Sequence, residues 1–324
     1  MEFWRGKKVL VTGANGFIGS WLTKRLIGKG AEVFTITRDI NKYSNLRVFG
    51  IKEKVNVVEG DIVNYELVSK VLRKYEIDTC FHLAAQSVAH IAEKSILSTF
   101  ESNIKGTWVL LEACKNFGVE RVIIASSDKA YGMQKELPNY EEQALLGRNP
   151  YSVSKVCADV LAQSYACTFN LPVAIVRSAN TYGLGDLNLS RLVPGTIVSV
   201  LKGEVPIIRS DGTPERDYIY VEDLVNGYLL IAENLDRQDV RGEAFNFGSG
   251  KPTSVLDLFN MIIKLAGKDV IPNVIGEAKN EIDRQYLSIA KAGRVLGWRP
   301  KWGLDEGLRE TVKWYRENLV SLDR

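Results

Sequence analysis

Short β-branched apolar runs alternate with longer stretches of helical period from Lys7 onward, and this alternation constrains the fold more than any other feature. A strand buried on both faces reads as an unbroken apolar run, whereas a helix lying on a sheet repeats its apolar residues every three or four positions. Strands are expected at Lys8 to Thr12, Glu32 to Ile36, Val55 to Glu59, Thr79 to Leu83, Arg121 to Ala125 and Val173 to Arg177. Helices are expected to start near Phe17, Glu66, Thr99 and Tyr151. The fold class is therefore α/β, a doubly wound parallel sheet covered by helices on both faces. Beyond Tyr182 the alternation fails, and Pro194, Gly203, Pro206, Gly212 and Pro214 punctuate an irregular stretch expected to hold a second, smaller α/β part. A chain of 324 residues suits two such parts. The first is expected over 1–180 with a returning segment near 220–250, the second over 181–219 and 251–324.

Forty-two basic residues stand against 39 acidic ones, a formal charge of +3. That is too small and too evenly spread for a nucleic-acid partner, so any affinity for phosphate must be local. The four cysteines, Cys80, Cys114, Cys157 and Cys167, show no metal-ligand spacing, and His82 and His90 are the only histidines, so no metal is expected. Buried reduced thiols in a cytoplasmic protein are the expectation for those cysteines. No apolar run approaches the ~20 residues of a membrane span, and the N-terminus lacks a signal-peptide pattern.

The run Val9-Leu10-Val11 leads into Thr12-Gly13-Ala14-Asn15-Gly16-Phe17-Ile18-Gly19, after which Trp21, Leu22, Leu26 and Ile27 form a helical stripe. A strand, a glycine turn and a helix bring bare backbone close to a pyrophosphate, and the helix N-terminus adds unpaired N–H groups and partial positive charge. The spacing is GxxGxxG rather than GxGxxG, yet at the first strand of a doubly wound chain it points to a dinucleotide. After the second strand, Arg38 suits a 2′-phosphate and so NADP, whereas Asp39 suits a free 2′-hydroxyl and so NAD. Asp61, just past the third strand, either meets an adenine amino group or closes a turn.

Tyr151-Ser152-Val153-Ser154-Lys155 opens a helix, and a separation of four stacks Tyr151 and Lys155 on one face. A free tyrosine, pKa ~10, is a poor base near neutrality, but an adjacent ammonium favours the phenolate. Lys155 is thus expected to activate Tyr151 as a base toward a sugar hydroxyl.

Taken in order, GANGFIGS, HLAA, SSDKAYG, YSVSK, RSANTYG and RDYIYVEDL resemble the extended short-chain dehydrogenases/reductases that act on sugar nucleotides. Gln285-Tyr286-Leu287, Lys291-Ala292 and Leu296-Gly297-Trp298-Arg299-Pro300 resemble the end of the same family. The resemblance implies a Rossmann domain holding NAD, with NADP as the alternative. Cofactor contacts are then expected from Gly13, Asn15, Gly16, Phe17, Ile18 and Gly19, from Arg38, Asp39, Asp61 and Ile62, from Leu83, Ala84 and Ala85, and from Tyr151 and Lys155. It also implies a homodimer and a nucleotide-sugar substrate. Gln86 and Ser87 are expected to line the sugar pocket, Arg216, Arg191 and Arg284 to meet the diphosphate, and Asn180 to donate to a phosphate oxygen.

Epimerases of the family carry small, unreactive residues where Asp128 and Lys129 stand, whereas 4,6-dehydratases carry an acid and a base. Ser127-Asp128-Lys129 is similar to the CDP-glucose 4,6-dehydratase variant. That likeness implies Ser127 as hydrogen-bond partner of Tyr151, Asp128 as acid at C6 and Lys129 as base at C5. A turn salt bridge between Asp128 and Lys129 is the bland alternative. GDP- and UDP-sugars stay open as substrates. A 4-epimerase is the competing enzyme, and a catalytically silent cofactor-sensing regulator the competitor of another class.

Overall fold

A computed structural model describes residues 3–39, 44–277 and 282–322. In chain order the strands are β1 Lys8–Thr12, β2 Glu32–Thr37, β3 Val55–Glu59, β4 Thr79–His82, β5 Arg121–Ala125, β6 Val173–Ser178, β7 Asn180–Tyr182, β8 Ile207–Ile208, β9 Glu215–Tyr220, β10 Ala244–Phe247, β11 Pro252–Ser254, β12 Asn273–Val274 and β13 Arg284–Gln285. Seven of them form one parallel sheet in the order β10-β6-β5-β4-β1-β2-β3. The chain runs outward from β1 through β2 to β3, then returns to lay β4 on the other side of β1. This reversal opens a crevice above the carboxyl ends of β1 and β4, where ligands of open α/β sheets bind.

The period of two along each strand sorts the core. Val9, Val11, Phe81, Ile123 and Val176 face one way, against Leu22 and Leu26 of helix Phe17–Gly28 and Leu224 and Tyr228 of helix Val221–Glu233. Leu10, Cys80, Val122, Ile124 and Ile175 face the other, against Val68, Leu72, Leu110 and Ala158. Each buried aliphatic contributes about 1.5–3 kcal/mol of transfer free energy, so a one-residue register slip is prohibitive. A smaller set, β11-β9-β13 with β7 beside β9, packs its tyrosines Tyr182, Tyr218 and Tyr220 against Leu258, Ile262 and Leu308. β8 and β12 form a two-stranded sheet.

The six strands expected from the sequence, β1 to β6, fall within one residue of their expected ends, while β7 to β13 were not expected. The helix at Tyr151 is Pro150–Phe169, with proline in its first turn and Asn149 Oδ1 accepting from Ser152 N at 2.9 Å. The helix expected near Thr99 is more elaborate: Ile96–Phe100 passes through one wide, π-helical turn, Glu101–Lys105, into Gly106–Phe117. That turn aims Asn103 inward, where its amide brackets Gln86 and donates to Ser154 Oγ at 2.9 Å. One expectation needs correcting. Cys80 and Cys114 are buried, but Cys157 is half-buried and Cys167 exposed, because the two lie on parts of helix Pro150–Phe169 that the sheet does not cover. All four are free thiols. The His90 side chain lies outside the described residues.

Candidate active site

The glycine turn is built for close approach. Gly13 has φ +74°, and a Cβ there would lie 2.8 Å from Ala84 N, while one on Gly19 would lie 2.1 Å from Gly13 O. Glycine is needed on both counts, by conformation at Gly13 and by contact at Gly19. Helix Phe17–Gly28 starts at Gly16 with no side-chain cap, so its first N–H groups are left to whatever enters the crevice. A cleft of about 810 Å³ opens there, lined by Gly13, Gly16, Phe17, Ile18 and Gly19. The cradle therefore fits a pyrophosphate, and the residues present suit a dinucleotide.

The cleft continues past Arg38, Asp61 and Ile62 at one end and Leu83, Ala84, Ala85, Gln86 and Ser87 in the middle. Asp61 serves the turn as well, accepting from Val63 N at 3.2 Å. Asn15 and Asp39, expected at the cofactor, are not among the residues lining the cleft. Asn15 Nδ2 donates to the Asp39 carbonyl at 3.0 Å, so the pair ties the loop after β2 to the glycine turn. Arg284 is likewise outside the lining: it is ion-paired with Glu215, and its guanidinium lies over the Tyr286 ring. Arg216 and Arg191 do line the cleft.

At the far end the five catalytic candidates converge. Ser127, Asp128, Lys129, Tyr151 and Lys155 all line the same cavity. Gly132, at φ +62°, ends a single turn, Asp128–Tyr131, that brings Asp128 and Lys129 to the cleft wall. Lys129 Nζ donates to Asp128 Oδ2 at 2.7 Å and to Asn180 Oδ1 at 3.3 Å, while Ser127 Oγ donates to Asp128 Oδ1 at 3.1 Å. Asp128 is 1% exposed. Asn180, expected to donate to phosphate, spends its amide N–H on the Asp217 carbonyl at 3.1 Å and turns its oxygen to Lys129. Arg191 is pinned between Asp186 Oδ2 at 3.0 Å and Ser87 Oγ at 2.9 Å, which holds it across the cleft on the Ser87 side.

Burial pushes the Tyr151 phenol above its ordinary value, with the hydrogen bond to Ser127 acting in the opposite sense. Burial also lowers the Lys155 ammonium from 10.5 to about 8. The expected pairing of that ammonium with the phenol is not the one drawn. Lys155 Nζ donates to the Ala125 carbonyl at 2.7 Å, because its long stem carries the charge to the end of β5. His82, hydrogen-bonded to Thr12 at 2.8 Å and Thr107 at 3.1 Å, is driven by burial to about 3 and is neutral. Gln285 and Asn103 belong to this site by contact and were not foreseen. Gln285 Nε2 donates to the Asp128 carbonyl at 2.9 Å from 157 residues away, a separation that leaves no local signal.

Residues 9–248 match the NAD dependent epimerase/dehydratase family. The chain is 34% identical over 330 residues to a trifunctional UDP-glucose 4,6-dehydratase/UDP-4-keto-6-deoxy-D-glucose 3,5-epimerase/UDP-4-keto-L-rhamnose-reductase of Arabidopsis thaliana. That match covers 98% of this chain but spans only about half of the plant protein, 48% of its length. It is 31% identical to the CDP-glucose 4,6-dehydratase of Salmonella typhimurium, over 97% of this chain and 92% of that one. Among solved structures, a UDP-glucose 4-epimerase of Thermotoga maritima with UDP-glucose superposes with TM-score 0.88 at 30% identity, over 96% of this chain and 99% of that one. A dTDP-glucose 4,6-dehydratase of Streptomyces venezuelae with NAD bound gives 0.87 at 29%, over 97% and 98%. With the glycine cradle, the YxxxK helix and a match across three quarters of its length, the chain belongs to the NAD dependent epimerase/dehydratase family.

Proposed function

We propose that this enzyme is a nucleotide-sugar 4,6-dehydratase, converting an NDP-hexose, with CDP-glucose the first choice, to the 4-keto-6-deoxy sugar. The observation that carries the proposal is the Asp128–Lys129 pair, 2.7 Å apart on the wall of the cleft that Tyr151 also lines. A 4-epimerase has no use for such a couple.

NAD held by the cradle of Gly13, Gly16 and Gly19 would supply hydride transfer, from C4 of the sugar and back to C6. The protein's own groups do the rest. Tyr151, held by Ser127, takes the proton of the C4 hydroxyl. Oxidation at C4 makes the C5 hydrogen acidic, and Lys129 as a free amine removes it while Asp128 as a carboxylic acid protonates the departing C6 hydroxyl. At rest the pair is ammonium and carboxylate, the opposite of what this step needs. One proton passed from Lys129 to Asp128 along their hydrogen bond supplies both forms. Elimination then returns the proton to the amine and takes it from the acid, so the cycle closes on the same ion pair. Ser127 and Asn180, bonded to either side, keep the two groups in register.

Arg216 and Arg191 both line the cleft and are the groups assigned to the diphosphate, Arg191 being bonded to Asp186 and Ser87. The choice of cytidine rests on the Salmonella relative and on the Ser-Asp-Lys segment. Incubating the purified protein with CDP-, GDP-, UDP- and dTDP-glucose and analysing products decides the reaction. A 4-keto-6-deoxy sugar is expected, with deuterium placed at C4 of the substrate appearing at C6 of the product. A C4 epimer that keeps its C6 hydroxyl overturns the proposal.

A further inference from the structure

We propose that Gln285 is a positioning residue for water elimination, holding the Asp128–Lys129 couple on target from a strand more than 150 residues away. The inference rests on the dehydratase reading above. The carbonyl that accepts from Gln285 Nε2, at 2.9 Å, is that of Asp128. It belongs to the peptide bond joining the two residues of the couple. A hydrogen bond there restricts ψ of Asp128 and φ of Lys129 together, so a single contact orients both side chains.

Gln285 is itself firmly placed. In β13 it sits in register with Arg216 of β9. Two residues on, Leu287 N donates to the buried Asp217 carboxylate at 3.2 Å, and Ser288 N and Tyr286 O pair with the backbone of Asn139 at 2.9 Å each. A group anchored on both sides can fix a turn that a free loop residue could not. The register also links two tasks, because the residue beside Gln285 is one of those assigned to the diphosphate.

Packing alone does not account for a glutamine here. Gln285 is 1% exposed, and its Oε1 is buried with no hydrogen-bond partner among the described residues. A buried acceptor without a donor costs roughly 1–3 kcal/mol, and an apolar side chain of the same length avoids that cost. The amide is therefore tolerated for what its N–H does. If the role were structural, replacing it would lower stability and every catalytic step alike.

Gln285→Met keeps length and volume and removes the amide. The relieved Oε1 and the lost bond to the Asp128 carbonyl are of similar size and opposite sign, so the variant is expected to melt close to the wild-type temperature and to oxidise C4 at the wild-type rate. Its turnover to the 4-keto-6-deoxy sugar should fall about tenfold or more in kcat with KM unchanged. In a single turnover the absorbance of the reduced cofactor should then rise and persist, where in the wild type it decays. Gln285→Glu supplies the second readout. Its carboxylate cannot donate to the Asp128 carbonyl, but its protonated form can, so the ratio of its dehydration rate to wild type should climb as pH falls. Wild-type kcat in both variants, or equal loss of oxidation and elimination, overturns this proposal alone. A C4 epimer from the unmodified enzyme overturns the dehydratase reading and this proposal with it.

Discussion

At the scale of single residues, the site works through charges placed where water cannot compete. Lys129 is the clearest test. Lys129→Met removes the base while leaving Tyr151 and the glycine cradle untouched, so C4 oxidation should persist and loss of water should stop, read as reduced cofactor accumulating without product. Dehydration at the wild-type rate in that variant would remove Lys129 from the mechanism. Lys155 gives a prediction with a sign. Burial sets its folded value at about 8, below the ordinary 10.5, so the ammonium is lost as pH rises through about 8. A reaction that needs the charge should lose activity on that limb, and the pH–rate profile shows it. Stability runs the other way: the fold disfavours the protonated form, and that penalty is relieved between pH 8 and 10.5, where the unfolded chain binds more protons than the native one.

At the scale of elements, what matters is how strands end. β1 and β4 lie side by side, and the backbone that follows each comes so close that only glycine fits at Gly13. Gly13→Ala adds a Cβ 2.8 Å from Ala84 N on a backbone at φ +74°, so the turn has to move. Cofactor affinity measured by calorimetry should fall at least tenfold, a loss of about 1.4 kcal/mol, with the secondary-structure content by circular dichroism unchanged. The strand-turn-helix unit could be recognised in the sequence because its signal is local: an apolar run, glycines at fixed spacing and a helical stripe within some twenty residues. The same holds for Pro150–Phe169, whose cap and first-turn proline are adjacent in the chain. The wide turn at Glu101–Lys105 could not be read, since it answers to Asn103 meeting Gln86 and Ser154 from two other elements.

At the scale of the whole molecule, distant segments meet in a buried polar network behind the catalytic turn. Arg177 of β6 bonds both oxygens of Asp159 at 2.8 and 2.9 Å, the Tyr131 hydroxyl at 2.9 Å and the Glu141 carbonyl at 2.8 Å, and Tyr131 donates in turn to Asn246 of β10 at 2.8 Å. Both partners of the ion pair are at most 3% exposed. Neutralising one leaves the other buried without its counter-charge, a loss of about 3–5 kcal/mol. Asp159→Asn should lower the denaturant midpoint accordingly. Because Tyr131 closes the turn carrying Asp128 and Lys129, elimination should also slow more than C4 oxidation.

The order of the residues along the chain by itself determined β1 to β6, the glycine cradle, the YxxxK helix and the presence of an acid and a base after β5, since each is written in neighbours within a turn or two. Tertiary structure alone decided which side chains reach the cleft. It turned Asn15 and Arg284 to other partners, sent the Lys155 ammonium to a strand carbonyl, aimed Asn180 at Lys129, and brought Gln285 to Asp128. The physical reason is that hydrogen bonds and ion pairs act over about three ångströms in space, whatever the separation in sequence. Only packing of the sheets and their helices sets those distances.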